Sequence, residues 1–169
     1  MTNESTNQEQ RTFVIIGGTS GIGKALAMKL RNENNTVHVA SRHTGLNISN
    51  EKSICEYFES IGVFDHLIVT AGTYVKTAIN AALESVTKIL AKELSPIRVN
   101  AVSPGLTMTE AYKNMDDSAR ANMYDNAKNN LPAGKVGEPS EIAMGYLFAI
   151  NNPYVTGSII DIDGGALLG

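Results

Sequence analysis

Hydrophobic and polar residues follow two different patterns along the chain. Short continuous apolar runs such as FVII (residues 13–16) are typical of strands buried on both faces of a sheet. Elsewhere apolar residues recur every three or four positions, most clearly from 76 to 94, as in amphipathic helices. The patterns predict strands at residues 13–16, 36–40, 66–69, 97–102 and 158–162, and helices after residue 23 and over 50–60, 76–94 and 139–150. Thr107 and Glu110 have the spacing of a capping box, which predicts a further helix start.

The order of these elements indicates the fold class. Strands that alternate with helices predict an α/β fold, in which a parallel sheet is covered by helices on both faces. We expect a single domain over residues 12–169, after a disordered polar tail over residues 1–11. Ligands of such sheets bind at the carboxyl ends of the strands.

Composition and charge exclude several classes of protein. Of 169 residues, 43% are apolar and 18% charged, which favours a globular chain over a disordered one. The net charge of −3 argues against nucleic-acid binding. The chain shows neither a run long enough to span a membrane nor a signal-peptide core, so we predict a cytoplasmic protein without a membrane partner. The single cysteine, Cys55, excludes an internal disulfide and is predicted to lie in the core; no metal site is expected.

A glycine-rich loop, GGTSGIG (residues 17–23), joins the first strand to the first helix. Glycines permit a tight turn and let a diphosphate approach the backbone, and the helix that follows offers free amides and a positive dipole end. The loop therefore predicts a dinucleotide-binding site. Its predicted contacts are Gly17, Thr19, Ser20, Gly21 and Ile22.

The same residues permit a second interpretation. GTSGIGK (residues 18–24) fits the start of a nucleoside-triphosphate loop, whose next residue would be Ser or Thr to bind magnesium. Ala25 stands there and cannot coordinate a metal, so an NTPase is the weakest of the hypotheses.

Several further stretches resemble motifs of the short-chain dehydrogenase/reductase family. TAG (residues 70–72) is similar to that family's Asn-Ala-Gly motif, and IRVNAVSPG (97–105) to a more specific stretch. YVTG (154–157) and DIDGG (161–165) also match, so that the resemblance covers residues 12–72 and 77–165. The resemblance implies a Rossmann-type fold, doubly wound in three layers. It also implies a nicotinamide cofactor, a small-molecule carbonyl or alcohol substrate, and assembly as a homodimer or homotetramer.

The residues after the second strand bear on cofactor choice. Ser41 and Arg42 stand where a carboxylate would bind the ribose diol of NAD, and arginine pairs instead with the 2′-phosphate of NADP. NADP(H) is therefore favoured over NAD(H). The resemblance also implies adenine contacts by Asn47 and Ile48. The other cofactor contacts that it implies are Thr70, Ala71, Gly72, Pro104, Gly105, Thr107 and Met108.

The family's catalytic pair is not intact. The family's reaction requires a Tyr with a Lys four residues later, but these positions hold Lys76 and Asn80. Tyr74 and Lys76 are the nearest substitutes, although two residues apart they face different sides of a helix. Two hypotheses follow: an NADP(H)-dependent oxidoreductase that uses Tyr74 and Lys76, or a protein that binds the cofactor without turnover.

The connection after the third strand is also short. Where the family has a helix and a further strand, only a few residues separate Gly72 from the long helix that starts near Lys76. A strand–helix–strand unit needs about 30 residues. We therefore predict that a segment is absent here, either deleted from the protein or missing from the sequence as numbered.

Overall fold

A computed structural model of the protein describes residues 10–70 and 77–168. The chain forms five strands and five helices in these ranges. They are β1 (Thr12–Ile16), α1 (Gly21–Asn32), β2 (Thr36–Ala40), α2 (Glu51–Ile61), β3 (His66–Val69), α3 (Thr77–Glu93), β4 (Ala101–Pro104), α4 (Asp117–Asn130), α5 (Pro139–Asn151) and β5 (Ile159–Ile162). Short 3-10 turns lie at Arg42–Thr44 and Glu110–Tyr112.

All strand pairs are parallel, as predicted. In the described residues they form a three-stranded sheet of order β2-β1-β3 and a two-stranded sheet β4-β5. β3 and β4 are not paired with each other there, so the sheet does not close up where the family's extra strand would lie. The predicted break between Gly72 and Lys76 lies outside the described residues.

Helices cover both faces of the three-stranded sheet. On one face Phe13 and Ile15 pack with Leu26 and Leu30 of α1 and Leu147 of α5, all of them buried. On the other face Ile16, Ala40 and Leu46 form a smaller cluster against α2. The predicted three-layer α/β/α arrangement is confirmed. Burial of these large side chains is the main stabilising contribution to this part of the fold.

The fourth strand differs from its prediction. We expected it at residues 97–102, but β4 begins only at Ala101. The reason is that the preceding residues bond to the loop before β5 instead of forming a ladder: the Val99 amide donates to Thr156 Oγ1, and Gly157 N donates to the Val99 carbonyl. The apolar run therefore predicted a strand that begins too early in the chain.

The helix predicted to begin at Thr107 is also different. Thr109, not Thr107, caps the 3-10 turn at Glu110–Tyr112 by accepting the Ala111 amide, and α4 begins later behind Asp116. Thr107 is buried, and its hydroxyl donates to the Gly105 carbonyl. None of the helices in the described ranges is both long and apolar enough to cross a membrane.

The folded part of the chain begins earlier than the sequence predicts. Gln10 and Arg11, assigned from sequence to the polar tail, hydrogen-bond to the folded part of the chain: Gln10 to Thr36, and Arg11 to Asn35 and Asn151. Residues 1–9 lie outside the described ranges.

Candidate functional site

The glycine loop turns sharply between β1 and α1. Gly17 has a φ of 88°, a conformation that favours glycine, and its amide donates to the Ala40 carbonyl at 2.7 Å. A Cβ on Gly18 would lie 2.9 Å from Val39 Cγ1. The loop is therefore packed directly on the end of β2, and this packing fixes where the first turn of α1 points.

The first turn of α1 presents backbone amides that its own N-cap side chain does not bind. Ser20 is the N-cap in an extended conformation, but its side chain makes no capping hydrogen bond. The first amides of a helix have no acceptor within the helix, and they lie at the positive end of its dipole. Thr19 and Ser20 are exposed beside them, and Ile22 is half-buried in this turn. The arrangement suits a phosphate group bound by main-chain amides.

A carboxylate already lies at this helix end. Glu110 Oε2 accepts the Gly21 amide at 2.9 Å. Thr109 Cγ2 would lie 3.3 Å from a Cβ on Gly21, whose φ is 50°. The segment after β4 thus rests on the glycine loop. Sequence reasoning missed Glu110 as a site residue, because its capping-box spacing indicated only a local helix start.

The end of β2 carries the residues predicted to choose the cofactor. Ser41 Oγ is buried and has no hydrogen-bond partner in the described part of the chain. Arg42 follows it in an exposed 3-10 turn. A buried hydroxyl without a hydrogen-bond partner is costly and is unusual away from a binding site.

Asn47 and Ile48 lie beyond that turn, and both are exposed. The Asn47 amide oxygen accepts the Ser49 amide at 3.0 Å, which is a local turn contact. One lone pair of this oxygen is therefore in use, and an adenine amino group would have to share it. The Ile48 side chain, 49% exposed, offers an apolar surface nearby.

Thr70 follows β3 and lies beside the glycine loop. Both its amide and its hydroxyl donate to the Ile16 carbonyl, at 2.8 and 3.2 Å. The other predicted residues of this region, Ala71, Gly72, Tyr74 and Lys76, lie outside the described residues.

Two segments meet tightly at the end of β4. Pro104 is exposed and pairs with Ile162, whereas Gly105 has no room for a side chain, because a Cβ there would lie 2.7 Å from the Asp163 carbonyl oxygen. Met108 is 41% exposed, and its amide donates to the Gly137 carbonyl.

The carboxylate of Asp163 accepts the amides of Gly165 and Leu167, so it organises the final turn. Turn contacts of this kind are typical of Asp in an Asp-Gly-Gly sequence. The described residues contain no cluster of His, Cys, Asp and Glu side chains suited to a metal ion.

The IRVNAVSPG stretch (residues 97–105) also has a structural role. The Arg98 guanidinium donates to the carbonyls of Ala149, Ile150 and Val155, at 2.6 to 3.0 Å. It thereby satisfies carbonyls at the C-terminal end of α5, where a cation also complements the helix dipole. Asn100 holds the same loop through the Val155 carbonyl and the Ser158 amide.

The triphosphate interpretation gains no support from the geometry. Ala25, at the position of the missing magnesium ligand, packs against the core cluster of α1 and β1. The glycine loop thus provides backbone amides without a side-chain oxygen for a metal at that position.

Comparison with known proteins agrees with this geometry. A family model described as enoyl-(acyl carrier protein) reductase matches residues 60–166, more than half of the chain. Carbonyl reductase family member 4 of Danio rerio is 41% identical over 100 residues, which cover 58% of this chain and 39% of that protein. The 3-oxoacyl-[acyl-carrier-protein] reductase of Homo sapiens is 32% identical over 111 residues, covering 64% and 44%. The chain therefore spans less than half the length of these curated relatives.

Solved structures show the same fold along nearly the whole chain. A small-chain dehydrogenase in complex with NADPH is 47% identical, with a TM-score of 0.91, and the match covers 95% of this chain and 100% of that one. ElxO with NADP bound, at 21% identity and a TM-score of 0.79, shares the fold. The glycine loop between β1 and α1, the parallel α/β fold and these matches show that the chain belongs to the short-chain dehydrogenase/reductase family.

Proposed function

We propose that this protein binds NADP(H) and acts as an oxidoreductase on a small-molecule carbonyl or alcohol. The observation that carries the proposal is the first turn of α1, which the side chain of its N-cap residue does not cap and which packs against the end of β2 where Ser41 and Arg42 lie. Main-chain amides there suit a diphosphate, and a guanidinium two residues past β2 suits a 2′-phosphate. The related small-chain dehydrogenase in complex with NADPH supports this cofactor class.

The residues present fit this cofactor, because the buried Ser41 Oγ at the end of β2 lacks a partner among the described residues. When bound, the nicotinamide would supply hydride to the carbonyl carbon. The protein would hold the diphosphate at Gly21 and Ile22 and the 2′-phosphate at Arg42, so that the reacting ring is positioned by fixed elements. Tyr74 and Lys76 remain the proposed source of the proton for the carbonyl oxygen.

A second function is favoured by one specific observation. Lys76 and Asn80 occupy the positions of the family's catalytic Tyr and Lys, so the proton-donating pair is changed while the cofactor loop is intact. A protein with these residues can bind NADP(H) without reducing a substrate. We keep this cofactor-binding role as the alternative.

Two measurements separate these functions. Fluorescence titration with NADPH tests binding, and loss of NADPH absorbance over a panel of aldehydes and ketones tests turnover. Turnover that Tyr74→Phe or Lys76→Met abolishes supports the enzyme, whereas tight binding without turnover of any substrate supports the alternative. No binding of NADPH or NADH would contradict both.

We also propose that the protein works in the cytoplasm as a homo-oligomer. Leu83, Val86 and Ile89 of α3 are 59%, 45% and 54% exposed, a row of apolar side chains that a second copy would cover. Light scattering should give a multimeric mass for the protein and a smaller one for Ile89→Lys. Val63→Lys, at an exposed apolar loop residue, is the control and should leave the mass unchanged. A monomeric mass for the unmodified protein would refute this assembly.

A further inference from the structure

The contact between Glu110 and Gly21 joins two segments that are distant in sequence. Glu110 Oε2 accepts the Gly21 amide at 2.9 Å, and the neighbouring Thr109 methyl group packs on the same glycine. Gly21 is the first residue of α1, and its amide belongs to the group that would receive the cofactor's diphosphate. The protein therefore presents its own anion at the anion-binding end of this helix.

Two anions cannot share this position. The Gly21 amide has one hydrogen to donate, and a carboxylate next to a diphosphate would be repelled by it. A diphosphate that approaches the first turn of α1 therefore has to displace the Glu110 carboxylate. The cost of that displacement subtracts from cofactor affinity.

A cavity beside the contact can receive the displaced side chain. Its volume is about 480 Å³, and Glu110 lies in its wall together with Lys24 of α1, Lys113 and Arg120. Arg120 is paired with Asp117, but Lys24 and Lys113 are exposed and have no acidic partner in the described residues. Lys113 follows Glu110 by three residues, Lys24 follows Gly21 by three residues, and both line the same cavity as the Glu110 carboxylate.

We propose that Glu110 is an internal competitor of the cofactor diphosphate, and that it moves from the Gly21 amide to Lys24 and Lys113 when the cofactor binds. The inference rests on the proposed function, since it assumes that NADP(H) is the ligand of this helix end. The 3-10 turn at Glu110–Tyr112 contacts the glycine loop and precedes α4. Its contact with the loop therefore holds the segment between β4 and α4 in place while no cofactor is bound. Cofactor binding would then release the segment between β4 and α4.

The first test measures the dissociation constant of NADPH by fluorescence for the full chain and for Glu110→Ala. We expect about fivefold tighter binding by the variant, since a charge at a helix terminus contributes up to about 1 kcal/mol, which corresponds to that factor. Glu33→Gln removes the same charge at the other end of α1 and should not change the affinity. Unchanged or weaker binding by Glu110→Ala, with binding by the unmodified protein intact, would overturn the inference but not the proposed function.

The second test concerns the lysines. Lys24→Met with Lys113→Met should weaken NADPH binding severalfold in the unmodified background and have little effect when combined with Glu110→Ala. An equal loss in both backgrounds would mean that the lysines contact the cofactor directly, which contradicts the exchange. If neither the unmodified protein nor Glu110→Ala binds NADPH or NADH, the proposed function fails, and the inference fails with it.

Discussion

Gly23 lies so close to the hydroxyl of Thr70 that the pair leaves no room for a side chain at position 23. A Cβ there would also lie 2.6 Å from the Gly17 carbonyl oxygen and 2.9 Å from Gly18 Cα. Because these neighbours are backbone atoms, they cannot move aside cheaply. The last glycine of the loop therefore holds α1 against the ends of β1 and β3.

Gly23→Ala should destabilise the protein and damage the cofactor site together. Overpacking against backbone costs about 1 to 3 kcal/mol, and the displaced helix end would lose its phosphate geometry. Urea unfolding should show the lower free energy of unfolding, and NADPH titration an affinity at least about tenfold weaker. Gly134→Asn is the control, because position 134 has open space and a φ of 64° that asparagine tolerates. Normal stability in Gly23→Ala would disprove the packing argument.

Arg42 should determine the preference for NADPH over NADH. Loss of a charged hydrogen-bonding partner of the 2′-phosphate should weaken NADPH binding about tenfold or more in Arg42→Ser, while NADH binding stays the same. Competition of the two nucleotides for the fluorescence signal measures both affinities. His43→Ser changes the next residue of the same exposed 3-10 turn and should preserve the preference. Parallel loss of both nucleotides would instead indicate a change of the fold.

Arg98 should contribute strongly to stability. Its guanidinium donates to three carbonyls, and Arg98→Met would leave those of Ala149 and Ile150, at the end of α5, without this donor. We expect a loss of roughly 2 to 3 kcal/mol in the free energy of unfolding, measured by chemical denaturation. Lys52→Met breaks only the exposed ion pair with Glu56, 3.6 Å apart, and should change stability by less than about 1 kcal/mol. Equal effects of the two substitutions would contradict the role assigned to Arg98.

His66 should make the fold less stable in mild acid. The ring stacks on Phe13 with centroids 4.7 Å apart, and burial, followed by the charge of Arg11, lowers the pKa of His66 below its ordinary value of 6.5. The unfolded chain therefore binds the proton more readily, so stability is full above about pH 6.5 and falls as the pH drops toward the folded pKa.

Thermal unfolding from about pH 8 to about pH 5 checks this dependence. His66→Phe, which keeps an aromatic ring on Phe13, should lose less stability over that range than the unmodified protein. His43→Gln, at an exposed histidine, should follow the unmodified protein. A steeper decline in His66→Phe would show that His66 is not the group responsible.

Local sequence patterns were sufficient to predict most of the secondary structure. The strands at 36–40 and 66–69 and the helix at 139–151 match their predictions within a residue, because each has its own periodicity and end signals, such as Pro139 at the first position of α5. Cys55 was misplaced: it lies on a helix whose other apolar residues do pack, yet its own side chain is exposed. Helical spacing groups Cys55 with the other apolar residues of α2, but it does not show which of these residues contact the sheet.

The sequence by itself determined the order of the elements, the α/β class and the glycine loop, since these depend on residues that are neighbours along the chain. Only the tertiary structure decided that Glu110 would lie on the Gly21 amide and that β4 would begin at Ala101. It also decided that the described strands would form two separate sheets. Such contacts join residues far apart in sequence, and their formation depends on how whole elements pack.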